Sequence, residues 1–508
     1  MGAYSRLIKN TFFDTFGNIF ILISGFILLP IMVAKMGPDQ YGLFLYLRLF
    51  TSLGILSLLD CGISLTVTKF VSEYYTSRNY GQLKLIIVTA VIILGFIGIL
   101  FGALCIQFSI EILNLFSVDA DSAISFHLAL KIVFLTWPIE LLGGLFYAIM
   151  IGIQQFFWVK LIDLLITLSQ FILSIIFLRY GYNFSEIFLL NLALLVFKHL
   201  ILFIFCYLFL HKIFKKTKIK INAKGVNKIL PMAKHIFLSQ SSSMIANHGE
   251  KFIVAIFLQP AQMVAYEILV KLPRMIKSYL SLGTSAVMPA ATEFMAKDNN
   301  YLNSKLFENG LQLNQIFIFP ITLSSIYLSN QFILAWVGPD FLQYVIMLQV
   351  LLLFNLLNPL SSFGWSIMMG INREIHYISR LQWSNTIIKL LIWILFTPII
   401  GLWAIVLGFF TVALTIPWSI NIPCKVLGVR EAKILLDTGR VLLASMTPYL
   451  IFSVYELRFK IDTIYEIALA GFVWSLMATF LYLFAFASAD FRVLVRDFLL
   501  RKTGYAKK

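Results

Sequence analysis

Residues 83–108 read LKLIIVTAVIILGFIGILFGALCIQF, a run with one lysine near its start and no other charged side chain. About 20 consecutive apolar residues are enough for a helix to span the hydrocarbon core of a bilayer. The run therefore predicts a membrane-spanning helix. The composition of the whole chain agrees, because 60% of its 508 residues are hydrophobic and 13% are charged, about half the charged fraction of a typical soluble domain. The sequence predicts an integral membrane protein.

Apolar runs of this kind recur along the chain. They predict an all-α polytopic membrane protein with about 14 transmembrane helices. The predicted segments are residues 11–35, 41–72, 83–108, 124–151, 157–179, 185–210, 230–258, 261–291, 310–336, 341–370, 376–398, 401–423, 436–456 and 463–487.

The placement of lysine and arginine predicts the orientation. With the N-terminus in the cytoplasm, most of the 40 Lys and Arg residues lie in inner loops, tails or flanking helix ends. The outer loop after the third segment carries Glu111, Asp119 and Asp121 and no base. An even number of segments then places both termini inside. Topology and attraction to anionic lipids at the inner surface account for the net charge of +16, and no nucleic-acid partner is needed.

A basic connection at residues 211–229 divides the chain. The string AIMIGIQ at 148–154 is echoed by SIMMGIN at 366–372, at corresponding ends of the fourth and tenth segments. A repeat offset by six segments keeps its orientation, which predicts two pseudo-twofold six-helix bundles about an axis along the membrane normal. The predicted parts are an N-terminal bundle (1–210), a cytoplasmic linker (211–229), a C-terminal bundle (230–423), and two further helices with a basic tail (424–508).

Four charges share one face of the eighth segment: Glu267, Lys271, Arg274 and Lys277. On a helix they lie within about 120° of one another over roughly 15 Å of its axis. A charge at mid-bilayer costs about 2.5–3.5 kcal/mol on insertion scales, so these groups are expected to face protein, water or a ligand. Glu267 and Lys271 can pair at a spacing of four residues, and the stripe as a whole is net positive. An anionic headgroup, a phosphate, diphosphate or acidic sugar, is the matching ligand; a salt-bridge seam between bundles is the structural alternative.

Other ionisable residues also lie within or near the predicted segments. The intramembrane bases beyond the stripe include Lys251 and Arg48, and the acids that could couple to ions or pair structurally are Glu267, Glu250, Asp60 and Asp163. The four cysteines and six histidines show no metal-ligand spacing, and no catalytic motif or cofactor-binding motif is present. The sequence therefore predicts a protein that is not an enzyme and that has no metal or cofactor.

Several motifs resemble a known family. They are MGPDQYG at 36–42, LDCGIS at 59–64, TKFVSE at 68–73, GIQQF at 152–156 and WVGPDF at 336–341. The chain resembles the polysaccharide-transporter (Wzx-type) flippases of the multidrug/oligosaccharidyl-lipid/polysaccharide exporter superfamily. Lys69 stands where arginine is common in that family.

This resemblance implies a flippase of the bacterial inner membrane. The implied cargo is an oligosaccharide on undecaprenyl diphosphate, such as an O-antigen, capsule or exopolysaccharide repeat unit, moved from the inner to the outer leaflet by alternating access. It also implies that the first, second, seventh and eighth helices border the cavity, which would make Arg48, Lys251, Lys271, Arg274 and Lys277 the candidate cavity cations. The implied partners are this lipid-linked glycan, a glycan polymerase and glycosyltransferases. We expect a monomeric transporter, driven by an H⁺ or Na⁺ gradient or by the membrane potential.

Three other functions are weighed against this one. An ion-coupled multidrug or cation antiporter of the same fold would favour acidic cavity residues, whereas the eighth segment is net basic. A membrane glycan polymerase or ligase would carry a large outer loop, whereas the longest outer connection, near 109–123, is short. A purely structural scaffold leaves the intramembrane bases unexplained.

Overall fold

The computed structural model describes residues 3–52, 54–215, 224–284, 287–296, 300–371, 375–456, 461–488 and 491–493. Helices and short connections account for these residues, and no strand occurs among them. The all-α prediction is therefore confirmed. Part of the predicted linker and the predicted tail from residue 494 onward lie outside the described residues.

The first half contains the longer uninterrupted helices. Its helices are α1 (Ala3–Met36), α2 (Pro38–Arg48), α3 (Leu56–Leu59), α4 (Ile63–Thr76), α5 (Tyr80–Gln107), α6 (Ser109–Leu113), α7 (Ala120–Gly152), α8 (Phe156–Arg179), α9 (Phe184–Lys215) and α10 (Lys224–Phe257).

The second half contains more breaks. Its helices are α11 (Pro260–Thr284), α12 (Val287–Ala296), α13 (Asn300–Tyr327), α14 (Ser329–Trp336), α15 (Val345–Asn355), α16 (Asn358–Gly370), α17 (Ile375–Ile400), α18 (Leu402–Leu427), α19 (Glu431–Met446), α20 (Pro448–Glu456) and α21 (Ile464–Leu481). A 3₁₀ turn at Pro339–Tyr344 precedes α15, and a π turn at Tyr482–Phe486 follows α21.

Nine helical stretches of the described residues are long and apolar enough to cross a membrane, or ten if the bent pair α13 and α14 forms one span. The predicted count of fourteen stays a prediction. The second predicted segment, 41–72, is not one continuous helix, because it is divided among α2, α3 and α4. Left-handed backbone at Cys61 and Gly62 separates α3 from α4. The ninth predicted segment bends by 71° between α13 and α14.

The chain divides into two compact units, one of residues 1–264 with 393–402 and one of 265–392 with 403–508. This division assigns α10 to the first unit, whereas the sequence analysis assigns it to the second bundle. Packing explains the difference, because α10 lies against α4 and α5. A Cβ atom on Gly225 of α10 would lie 2.2 Å from Thr89 Oγ1 of α5, so glycine is what permits this close approach. The two-bundle repeat itself stays a prediction.

Within the first unit, α7 is the central helix and packs against α4, α5 and α9, while α8 packs against α1 and α9. Glycines let α5 approach α7 closely. A Cβ on Gly98 would lie 2.6 Å from Pro138 Cα, and one on Gly102 would lie 2.6 Å from Phe134 O. Small residues four apart are a common way for membrane helices to gain van der Waals contact.

Within the second unit, α13 packs against α15, α16, α19 and α21, and α12 packs against α16. Buried side chains such as Phe307, Phe363 and Met368 form the core between these helices. The last two predicted segments thus belong to the packing of this unit through α19 and α21.

The contact between α5 and α7 generates a prediction. Gly98→Ala should destabilise the protein by about 1–3 kcal/mol, because the added methyl group meets the backbone of Pro138. Gly95→Ala is the matched control on the same helix, since a Cβ there meets nothing within 4 Å, and it should be neutral or stabilising by up to about 1 kcal/mol. Thermal unfolding of the detergent-solubilised variants measures both. Equal melting temperatures would contradict the packing.

Candidate functional site

The predicted charged stripe lies on one helix of the structure. Helix α11 begins at Pro260, a residue suited to the first helical turn, and the Gln262 side chain accepts a hydrogen bond from the backbone N–H of Gln259 at 3.2 Å. The helix continues through Glu267, Lys271, Arg274 and Lys277. The predicted helical face is therefore present, and we call these four residues the α11 stripe. All four belong to the second unit.

Arg274 is held by a tyrosine from its own helix. Its Nη2 donates a hydrogen bond to the hydroxyl of Tyr266 at 2.6 Å, and the guanidinium carbon lies 5.7 Å from the centre of that ring. Side chains on a helix point back toward its N-terminus, which lets Arg274 reach two turns along the helix. Because Tyr266 is almost fully buried, its hydroxyl holds the guanidinium in one direction. The hydroxyl is neutral, so this contact does not neutralise the charge of Arg274.

The backbone beside Arg274 is also fixed. Pro273 lies inside α11 and cannot donate a backbone hydrogen bond to the preceding turn. The carbonyl of Pro273 accepts a hydrogen bond at 2.9 Å from Nδ2 of buried Asn355, at the end of α15, and Asn358 donates to Asn355 Oδ1 at 2.9 Å. These asparagines border the break between α15 and α16. The break thus anchors the irregular turn of α11 that carries Arg274.

The other members of the stripe differ in exposure. Glu267 and Lys271 are half-buried, and Lys277 is exposed. The stripe therefore runs from the interior of the unit toward its surface, with Arg274 between Lys271 and Lys277. Its charges are three bases against one acid, a net charge of +2 on α11. The predicted pairing of Glu267 with Lys271 stays a prediction.

The remaining candidate cations lie in the first unit. Arg48, at the end of α2, is exposed, and its guanidinium lies 5.9 Å from the centre of the Phe44 ring. Lys251 is half-buried on α10, next to buried Glu250. The structure thus groups the stripe in one unit and these residues in the other. Their roles toward a ligand stay predictions.

Two of the candidate acids already serve local structure. Asp60 accepts hydrogen bonds from the backbone N–H of Ser64, 3.2 Å from Oδ2, and from the Ser64 hydroxyl, and so caps the first turn of α4. Asp163 of α8 forms an ion pair with Lys198 of α9 at 3.0 Å. A structural role is the alternative to ion coupling that the sequence analysis gives for these acids.

Sequence reasoning did not select Glu140 as a site residue, yet it is the most buried carboxyl group of α7 in the structure. Its Oε2 accepts a hydrogen bond from the backbone N–H of Ser52 at 2.8 Å. The signal that could have found it is an acid four residues after a threonine, in the middle of a long apolar helix.

The described residues hold no group of three or more His, Cys, Asp or Glu side chains arranged to bind a metal ion. The chemistry of the candidate site is that of fixed positive charge, which attracts and orients anions.

Comparisons with known proteins agree with this fold. A family model described as polysaccharide biosynthesis protein matches residues 7–295. The lipid II flippase MurJ, in an inward closed conformation, is 15% identical, with a TM-score of 0.70 over 94% of this chain and 99% of that chain.

Two other solved structures have the same fold. An inward-facing multidrug resistance MATE family transporter of the MOP superfamily is 15% identical, with a TM-score of 0.59 over 82% of this chain and 95% of that chain. A MOP superfamily transporter from Pyrococcus furiosus, described as having a binding pocket of reverse polarity, is 15% identical, with a TM-score of 0.52 over 84% and 95% of the two chains. No curated protein matches the chain by sequence.

The ion pair between Asp163 and Lys198 generates a prediction. Lys198→Met alone should destabilise the protein by about 1–3 kcal/mol, because it leaves a largely buried carboxylate without its ammonium. The double variant with Asp163→Asn should recover most of that loss. Thermal unfolding of the four solubilised proteins completes the double-mutant cycle. If the two single losses simply add, the pair does not stabilise the first unit.

Proposed function

The chain belongs to the polysaccharide biosynthesis protein family, and from this membership we propose that it is a flippase for a lipid-linked oligosaccharide. The proposed cargo is an oligosaccharide repeat unit on undecaprenyl diphosphate. The chain moves it by alternating access from the inner to the outer leaflet of the bacterial cytoplasmic membrane, with both termini inside. Glycosyltransferases would act on the glycan before it is moved, and a polymerase would act on it afterwards.

The observation that carries this proposal is the fixed arginine of the α11 stripe. A guanidinium binds phosphate oxygens in a fork, and its orientation matters for that contact. Tyr266 orients the side chain of Arg274, while Asn355 anchors the adjacent backbone. An arginine fixed in this way loses little freedom when it binds a ligand, which favours affinity.

The charge of the stripe supports a diphosphate in particular. Lys271 and Lys277 lie one turn on either side of Arg274 on the same face of α11. A row of three bases can contact successive phosphate groups, because lysine acts as a mobile point charge beside the fixed fork of arginine. Exposed Lys277 is suited to the first contact and half-buried Lys271 to a later one.

The fold supports transport of a lipid, since the lipid II flippase MurJ shares it. A multidrug transporter shares it as well, so the fold alone does not separate the proposed flippase from a drug or cation antiporter. The sign of the charge favours the flippase. A site for organic cations would favour acids, whereas α11 carries a net charge of +2.

The proposal predicts that Arg274→Ala and Lys271→Ala reduce glycan export while the protein stays inserted and abundant. Loss of a charge-assisted contact is worth about 1.5–3 kcal/mol, so export should fall by roughly tenfold or more. Arg274→Lys should do less harm than Arg274→Ala, because it keeps the charge. Surface glycan per unit of membrane-inserted protein measures the effect.

The matched control is Arg430→Ala, which removes an exposed base just before α19 and should leave export unchanged. Tyr266→Phe should give an intermediate loss, because it frees the guanidinium and keeps its charge. Normal export in both alanine variants would overturn the assignment of the stripe. Normal glycan export in a strain lacking the gene, together with increased sensitivity to cationic dyes, would favour the antiporter.

A further inference from the structure

An arginine lies on the lipid-facing side of the second unit. Helices α19 and α20 together form one of the apolar stretches that are long enough to cross a membrane, Glu431–Val454. Within it, Arg440 lies between Leu436 and Leu443, which are 64% and 57% exposed. Residues three and four apart share one face of a helix, so Arg440 lies on the same face as these leucines. Exposed leucines of a membrane-spanning stretch contact lipid tails, which are as apolar as they are.

The depth of Arg440 fits the phosphate level of one leaflet. From Arg440 to Glu456, where α20 ends, the helix rises by about 24 Å at 1.5 Å per residue. The hydrocarbon core is about 30 Å thick, so the start of α19 is the nearer boundary. Side chains on a helix point back toward its N-terminus, which directs the guanidinium to that boundary. The predicted orientation places this boundary on the cytoplasmic side.

Two buried polar residues hold Arg440. Its Nη1 donates a hydrogen bond to Oδ1 of Asp437 at 3.1 Å, and Nε2 of Gln312 on α13 donates to Oδ2 of the same carboxylate at 2.6 Å. Asp437 and Gln312 are both more than nine-tenths buried, whereas the side chain of Arg440 is 49% exposed. The carboxylate is therefore fixed from both sides, and it directs an exposed guanidinium.

Most of the hydrogen-bond donors of Arg440 remain for another acceptor. A guanidinium has five N–H donors in a rigid fork, and its one hydrogen-bond partner among the described residues is Asp437. Contact with water alone requires no fixed direction of the side chain. A fork that binds two oxygens of one phosphate does require it.

The charges near this boundary also favour an anion. Helices α13, α18 and α19, with the residue that caps α19, carry five bases against three acids, a net charge of +2. The bases are Lys305, Lys425, Arg430, Lys433 and Arg440, and the acids are Glu308, Glu431 and Asp437. Glu308 contacts Lys433 at 2.8 Å and Lys305 at 3.5 Å, so this acid is already shared between two bases. An excess of bases beside a membrane surface attracts anionic lipid headgroups.

We propose that Arg440 binds the phosphate of a phospholipid in the cytoplasmic leaflet. The remaining N–H groups of its guanidinium donate to two phosphate oxygens, while Asp437 and Gln312 hold its direction. The acyl chains lie along the exposed face that continues through Leu450 and Val454. Anionic phospholipids bind more tightly than zwitterionic ones, because the surrounding charge is positive. The site stands on contacts within the second unit and does not depend on the glycan proposal.

Native mass spectrometry of the full-length protein, delipidated in detergent and titrated with phosphatidylglycerol, tests the site. The wild type should bind one phosphatidylglycerol more tightly than the rest, and Arg440→Ala should weaken this step by about tenfold or more, since it removes a charge-assisted contact. Diacylglycerol, which lacks the phosphate, should show no tight step. Arg380→Ala, which removes an exposed arginine near the start of α17, should bind like the wild type. Equal affinity of the wild type and Arg440→Ala would overturn the proposal.

The double variant Asp437→Asn with Arg440→Gln tests the site at constant net charge. It removes the carboxylate and the guanidinium together, so that no buried charge is left without its partner. It should lose the tight step as Arg440→Ala does, and wild-type binding would show that the proposal is wrong. This variant remains informative even if Arg440→Ala does not fold.

Two further measurements separate this site from the α11 stripe. Arg274→Ala should keep the tight phosphatidylglycerol step, and Arg440→Ala should keep the affinity of the wild type for undecaprenyl diphosphate. Displacement of the tightly bound phosphatidylglycerol by an equal concentration of undecaprenyl diphosphate would identify the proposed cargo as the source of the phosphate and would contradict the phospholipid site.

Discussion

Polar groups that leave water inside a membrane protein must find partners within the protein, and the chain meets this requirement with side chains placed at or beside its helix breaks. The turn after α2 is satisfied by Trp137 and Glu140. The carbonyl of Pro273, within the continuous helix α11, accepts a hydrogen bond from Asn355 at the break between α15 and α16. In both cases a polar side chain of one helix bonds to the backbone of another, next to an interruption in one of the two. Helix breaks and buried polar residues therefore have to be interpreted together.

The same requirement separates charges that stabilise the fold from charges available for function. Asp60 is used as a helix cap, and Asp163 is used in an ion pair. Arg274 donates a hydrogen bond to the hydroxyl of Tyr266, a neutral partner that orients the guanidinium. This contact adds no negative charge beside the arginine. It makes Arg274 the central residue of the proposed site.

The sequence predicted those features that depend on local pattern. Apolar length predicted the membrane helices, helical spacing predicted the shared face of the α11 stripe, and short motifs predicted the family. It did not predict the break within residues 41–72 or the role of Glu140 and Asn355. Their partners lie 88 and 82 residues away in the chain, and hydropathy carries no information about contacts at that range.

The central claim is that Arg274 binds a diphosphate-linked lipid, and the most direct measurement is the affinity of the purified protein for undecaprenyl diphosphate in lipid nanodiscs. The account predicts salt-sensitive binding that is weakened about tenfold or more in Arg274→Ala, and weaker binding of undecaprenyl monophosphate by the wild type. Equal affinity of the wild type and Arg274→Ala for the diphosphate lipid would contradict it.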